Sequence, residues 1–230
     1  MTDTIKGKFI VFDGLPGTGK TTQINIVADL LRQNGHHVVL TREPGGTTAA
    51  EEVRDLVVNG EPDRWDGISE LFLFSAARRN HIETIIKPAL EVGSIVLCDR
   101  FVASTYAYQG YGRSIPIDTI NQITNIATGL LNPDLTFIFF IDPKLGRSRA
   151  IESRSERLSK EPRFVANEIS LERVSDGFYA FLKEKIQYIE LLAAHDIQIQ
   201  ERYIPVFVND DTGINDITKI LMNEITRLLN

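Results

Sequence analysis

Gly14-Leu15-Pro16-Gly17-Thr18-Gly19-Lys20-Thr21 follows the apolar run Phe9-Ile10-Val11-Phe12 and leads straight into a helical pattern. Strand, glycine-rich loop and helix in that order are the setting in which G-x-x-x-x-G-K-S/T cradles a polyphosphate. The glycines let backbone N–H groups turn inward, and the helix beginning near Gly19 adds the positive end of its dipole. Lys20 then reaches the β- and γ-phosphates, and Thr21 binds Mg²⁺. Gly14, Leu15, Pro16, Gly17, Thr18, Gly19, Lys20, Thr21 and Thr22 are the candidate nucleoside triphosphate site. A glycine-rich turn with a chance lysine is the plainer alternative.

Five short apolar runs read as strands: Lys8 to Phe12, His37 to Leu40, Ser94 to Cys98, Leu135 to Ile141, and Tyr203 to Val208. Four of them lack polar alternation, which points to a parallel sheet buried on both faces. Helical patterns lie between them. Ile24, Val27, Leu30 and Leu31 mark one face that stops at Asn34-Gly35. Leu71, Phe74, Ala77, Ile82, Ile85 and Ile86 mark a second that ends around Pro88 to Gly93, and Ile117–Leu131, Val174–Ala194 and Ile214–Leu229 give three more. The expected fold is a three-layer α/β/α domain with a five-stranded parallel sheet and ligands at the carboxyl ends of the strands. One domain over residues 1–230 is expected, without repeats or a low-complexity linker.

The net charge of -6 disfavours general affinity for nucleic acid or anionic membranes. Cys98, the one cysteine, cannot form an internal disulfide and lies in an apolar run, so it reads as a buried core residue. No signal-like start is present, and no apolar run approaches the ~20 residues that span a bilayer. A soluble, cytoplasmic chain is expected.

Asp99-Arg100 closes the third strand, at the sheet edge where phosphates would lie. Asp99 can hold Mg²⁺ or its waters, while the Arg100 fork suits a second anion; a strand-end ion pair is the alternative. Thr41-Arg42-Glu43-Pro44-Gly45-Gly46-Thr47 follows the second strand and is a turn by chemistry. Between Lys144 and Arg173 there are eight Lys/Arg against five Asp/Glu in an otherwise acidic chain. That segment reads either as a solvated charged face and loop or as a mobile lid, at about residues 144–173, whose arginines close over phosphates. No N/T-K-x-D element and no second early loop lysine are present, which disfavours GTPases and partition ATPases.

The phosphate loop, the Thr41–Thr47 string, Asp99-Arg100-Phe101, and Ser104 through Tyr108-Gln109-Gly110 together resemble the thymidylate kinase family of nucleoside monophosphate kinases in order and spacing. The resemblance implies a P-loop kinase that phosphorylates dTMP to dTDP with ATP and Mg²⁺, in dTTP biosynthesis, and usually a homodimer. It implies that Phe74 stacks on the pyrimidine while Arg78, one helical turn later, donates to its O4 carbonyl. Arg100 would bind the acceptor phosphate, Ser104 and Thr105 would lie near the ring, and Tyr108 would pack under a deoxyribose. Arg42, Glu43 and Gln109 match acceptor-site positions. Lys20, Arg100, Arg149 and Arg154 are the implied catalytic cations, with Arg157 an alternative to Arg154, and Thr21 and Asp99 the implied metal ligands.

Two departures stand out. Pro16 occupies a position where the family usually has a carboxylate, whose role is either lost, taken by Asp13 or Glu43, or supplied by water. In the basic segment, Glu172-Arg173-Val174 matches a family element but Ser175 replaces its last carboxylate, and about fifteen extra residues intervene at little cost in closure entropy. The alternatives are another nucleoside monophosphate kinase, a deoxynucleoside kinase, or a nucleotide-dependent switch. Asn209-Asp210-Asp211 is either a donor-base contact or a surface turn.

Overall fold

The computed structural model describes residues 7–58, 64–155, 170–195, 197 and 200–230. β1 (Lys8–Gly14) enters the phosphate loop and α1 (Lys20–Gln33), followed by β2 (Val38–Arg42), α2 (Thr48–Val58) and α3 (Gly67–His81). A π-helical stretch, Ile82–Ile86, carries α3 into α4 (Lys87–Glu91). β3 (Ile95–Asp99) leads to the short α5 (Val102–Thr105) and a second π-helical stretch, Tyr106–Gly112. The chain continues through α6 (Ile117–Thr128), β4 (Leu135–Phe140), α7 (Pro143–Ser155), α8 (Leu171–Ala193), β5 (Arg202–Phe207) and α9 (Ile214–Leu229). Among the described residues no helix is long and apolar enough to cross a membrane.

The expected strands form one parallel five-stranded sheet in the order β2-β3-β1-β4-β5. Alternate residues of β1 serve opposite layers. Ile10 and Phe12 join Ile24, Val27 and Leu31 of α1 and Ile217, Leu221 and Ile225 of α9. Phe9 and Val11 pack with Ile82, Ile86, Leu90 and Phe101. Burial on both faces explains why β1, β3 and β4 read as continuous apolar runs. The edge strands β2 and β5 are largely half-buried.

Several strands run further than apolarity alone suggests. β1 continues to Gly14, β2 to Arg42 and β3 to Asp99, because Phe12 and Arg42 both pair with Asp99 and Gly14 pairs with Phe139. Ladder pairing thus draws motif residues into the sheet edge. α2 was not among the expected helices. The Thr47 hydroxyl caps it, accepting from Ala50 N at 3.0 Å. In the basic segment, Asp142 Oδ1 accepts from the backbone N–H groups of Lys144 and Leu145 and starts α7, while Arg157 and the stretch 156–169 lie outside the described residues.

Candidate active site

The phosphate loop is pressed between β4 and the start of α7. Gly17 has φ 74, and a Cβ there would lie 2.0 Å from the Gly146 carbonyl oxygen, so only glycine fits. Gly19, at φ 81, starts α1 and faces open space. Lys20 is buried and its Nζ donates to Gly14 O at 3.1 Å, to Leu15 O and to Thr18 Oγ1 at 3.1 Å. Burial, and after it the neighbouring Arg100 cation, pulls the Lys20 ammonium down to about 7 against the opposing influence of Asp99 and Asp13. Thr21 and Thr22 are exposed on the first turn of α1.

Arg100 holds a left-handed backbone, φ 74, that a bulky residue adopts only where its surroundings enforce it. Its N–H donates to Phe12 O at 2.9 Å, fixing the turn off β3. The guanidinium donates to Gly14 O at 3.2 Å and Ser104 Oγ at 2.8 Å and lies 5.4 Å over the Tyr108 ring. Burial works against its charge, but Tyr108, Asp13 and Asp99 outweigh that and hold it above its ordinary value. Lys20 and Arg100 therefore converge on one carbonyl oxygen, that of Gly14.

Thr21 Oγ1 donates to Asp99 Oδ2 at 3.1 Å. Asp99 Oδ1 is buried and has no hydrogen-bond partner among the described residues. An unmatched carboxylate oxygen beside a hydroxyl at a phosphate loop fits Mg²⁺, which takes few protein ligands and completes its shell with phosphates and water. No cluster of three or more His, Cys, Asp or Glu suited to a metal occurs among the described residues.

The acceptor-side candidates fall into two groups. Arg78 is buried, with Nε on Glu43 Oε2 at 2.7 Å, Nη1 on Thr105 Oγ1 at 2.9 Å and Nη2 on Phe101 O at 3.0 Å. Phe74, one turn earlier on α3, is half-buried. Tyr108 and Gln109 are nearly fully buried, and the Gln109 amide donates to Glu70 Oε1 at 2.7 Å, so its amide nitrogen anchors the π-helical stretch to α3. Arg42 is exposed and pairs with Glu51 of α2 at 2.9 Å.

Neither carboxylate considered as a stand-in at Pro16 is available. Asp13 is fully buried and accepts from Gly14 N, Phe101 N, Ser104 N and Ser104 Oγ at 2.9, 3.0, 2.9 and 2.6 Å. Burial raises its carboxyl above the usual range, opposed by Arg100 and those hydrogen bonds. Glu43 is likewise committed, to Arg78 and to His81 Nδ1 at 3.1 Å.

Arg149 is held by the turn after β5. It donates to Asn209 O at 3.3 Å and Asp210 Oδ1 at 2.9 Å, in a turn that Thr212 and Asn209 also close at 2.6 Å. Arg154 lies on α7, with its side chain outside the described residues. Glu70 and His81, both fully buried, were not foreseen. The available signal was the spacing Glu70, Phe74, Arg78, His81, which puts polar groups on one face of α3.

The family model described as thymidylate kinase matches residues 12–204. The chain belongs to the thymidylate kinase family. A thymidylate kinase of Ruegeria pomeroyi is 39% identical over 221 residues, covering 96% of this chain and 97% of that protein. A thymidylate kinase of a Geobacillus species is 45% identical over 156 residues, covering 68% and 74% respectively. Among solved structures, a thymidylate kinase from Ehrlichia chaffeensis superposes with a TM-score of 0.71 at 33% identity, covering 96% of this chain and 98% of that one. The shared fold is the three-layer P-loop kinase fold expected from the sequence, and membership makes the chain a nucleotide-binding transferase with ATP as phosphate donor.

Proposed function

We propose that the chain transfers the γ-phosphoryl group of ATP to dTMP, with Mg²⁺, as one kinase domain over residues 1–230 in the cytoplasm. The observation that carries this is the meeting of Lys20 and Arg100 at Gly14 O. Two cations held this close repel each other, a cost that phosphates lying between them would offset. A switch that binds one nucleotide has no use for the second.

Phosphoryl transfer has a loose transition state, so alignment and charge stabilisation do most of the work. The loop N–H groups and Lys20 hold the donor's β- and γ-phosphates. Arg100, immobilised by its backbone turn and the Tyr108 ring, places the acceptor phosphate in line. Thr21 and Asp99 are the residues that would hold Mg²⁺, which would supply positive charge against that of the phosphates. The nucleophile is a phosphate oxygen with second pKa about 6, already ionised at neutral pH. No general base is required, which is compatible with Pro16 and with the committed state of Asp13 and Glu43. Arg78 and Thr105 meet the pyrimidine edge, Phe74 stacks on the ring, and Ser104, Tyr108, Gln109 and Arg42 frame the sugar and phosphate. Arg149 and Arg154 serve as lid cations. For Arg149 this means leaving Asp210, an exposed ion pair of little intrinsic strength.

The acceptor phosphate clamp separates this reading from that of a deoxynucleoside kinase. Titration with dTMP and with thymidine should show the monophosphate binding about 100-fold more tightly, through its charge-assisted contacts; equal affinity would contradict the clamp.

The reading includes a homodimer. Ile68 and Phe72 of α3 and Ile126 of α6 are exposed, with Leu130 just beyond α6, and α3 packs on α6. An apolar surface on two adjacent helices suits a self-complementary contact. Sedimentation velocity should give a dimer that Phe72→Glu dissociates; a wild-type monomer would refute it.

A further inference from the structure

We infer that His81 is the positioning residue that orients Arg78, acting through Glu43, and thereby sets the selectivity of the site for its pyrimidine acceptor. This rests on Arg78 reading the acceptor base. His81 is fully buried at the end of α3 and sits where three parts of the Thr41–Thr47 string meet. Its Nε2 lies 2.6 Å from Thr41 Oγ1, and its Nδ1 lies 3.1 Å from Glu43 Oε1. Gly46 closes over the pair. A Cβ on Gly46 would lie 2.6 Å from Thr41 Oγ1 and 2.7 Å from His81 Nε2, so the turn wraps this histidine at a distance only glycine permits.

A ring with its proton on Nδ1 would satisfy both partners, donating to Glu43 and accepting the Thr41 hydroxyl proton. One oxygen of Glu43 is then committed to His81 and the other to Arg78 Nε, at 2.7 Å. A carboxylate held at one oxygen by a rigid ring has its plane fixed, and that plane directs the guanidinium fork. Arg78 then spends one Nη1 N–H on Thr105 and one Nη2 N–H on Phe101 O, which leaves two N–H groups pointing in directions that Glu43 and His81 dictate. The guanidinium also lies 5.1 Å over the Phe101 ring, which restricts its tilt. If the imidazole contact is lost, Glu43 is free to rotate and the donor geometry at the base is no longer unique.

Three substitutions separate this role from simple core packing. His81→Asn places an amide donor where Nδ1 was and keeps the link to Glu43. His81→Gln reaches the position of Nε2 and keeps only the link to Thr41, while His81→Leu keeps neither. His81→Gln and His81→Leu should raise KM for dTMP about tenfold and lower the preference for dTMP over dCMP to a similar degree, with KM for ATP unchanged, whereas His81→Asn should stay within about twofold of the wild type. Should His81→Leu fail to fold, the Asn and Gln variants still differ in the single hydrogen bond at issue. The inference is overturned if those two variants change the acceptor KM equally, if neither changes it, or if KM for ATP moves in parallel. Arg78→Lys is measured alongside. If it alters acceptor KM while the histidine variants do not, only the role of His81 falls; if it has no effect, base reading by Arg78 falls as well.

Discussion

Lys20→Met is expected to lower kcat about 10³-fold or more while leaving the protein folded. The ammonium is the only lysine charge in the loop, and its stabilisation of developing charge on the transferred group in a dry site is of the size associated with such fixed donors. Stability should not follow activity. Lys20 is held near 7 against an ordinary 10.5, so between those values the unfolded chain binds more protons than the folded one. Stability therefore rises with pH across that window, and below it the folded state bears the full cost of the buried charge. Removing the charge lifts that cost, and the Tm at neutral pH should be unchanged or higher. The same depression predicts proton uptake when ATP binds at about pH 8, because a polyphosphate favours the charged ammonium. Calorimetry in two buffers of different ionisation heat should show that uptake in the wild type and a smaller one in Lys20→Met. Equal uptake in both would assign the proton elsewhere.

Arg100→Met should reduce kcat/KM for the acceptor about 10³-fold and, unlike the lysine variant, also weaken the fold. The reason is Asp13, fully buried 3.8 Å from the guanidinium. Its four hydrogen bonds remain, so the loss should not exceed about 3 kcal/mol. Burial already raises the Asp13 carboxyl, and without Arg100 it rises further. A raised carboxyl means that the folded state binds the extra proton, so the deficit should be greatest toward neutral pH and shrink as pH falls. Arg100→Lys keeps a cation for Asp13 but not the planar fork, and should recover stability without recovering acceptor KM. If both variants lose stability equally, the Asp13 contact is not the cause. If neither affects acceptor KM, the phosphate lies elsewhere.

The local geometry of the phosphate loop was more legible in the sequence than the contacts of the proposed acceptor-side residues, and the reason is chain distance. Gly14 to Thr21 is one local turn between a strand and a helix, and its chemistry follows from spacing alone. Phe74 and Arg78 share a helix face and were also legible. What could not be read was which groups the sheet brings together. The ladder sets Arg42 and Phe12 beside Asp99, and the turn that follows carries Glu43 onto His81 and Arg78, more than thirty residues away. Asp13 reads from the sequence as one substitute for the missing loop carboxylate, but the four donors that occupy it come largely from residues about ninety positions away. His81 had no metal-like spacing, and its hydrogen bonds run to partners from another part of the chain. Arg149 was legible as a cation, but its hydrogen bonds to the turn after β5 depend on long-range packing.

A two-nucleotide site that joins ATP to dTMP makes a direct demand on acceptor specificity. That demand is read out by ADP release from Mg-ATP with dTMP, dUMP, UMP, dCMP, AMP and thymidine as separate acceptors. Turnover should be fastest with dTMP, far slower with dCMP and AMP, and absent with thymidine. Faster turnover with any other acceptor, or none with dTMP, would rule out a site built to join ATP to dTMP.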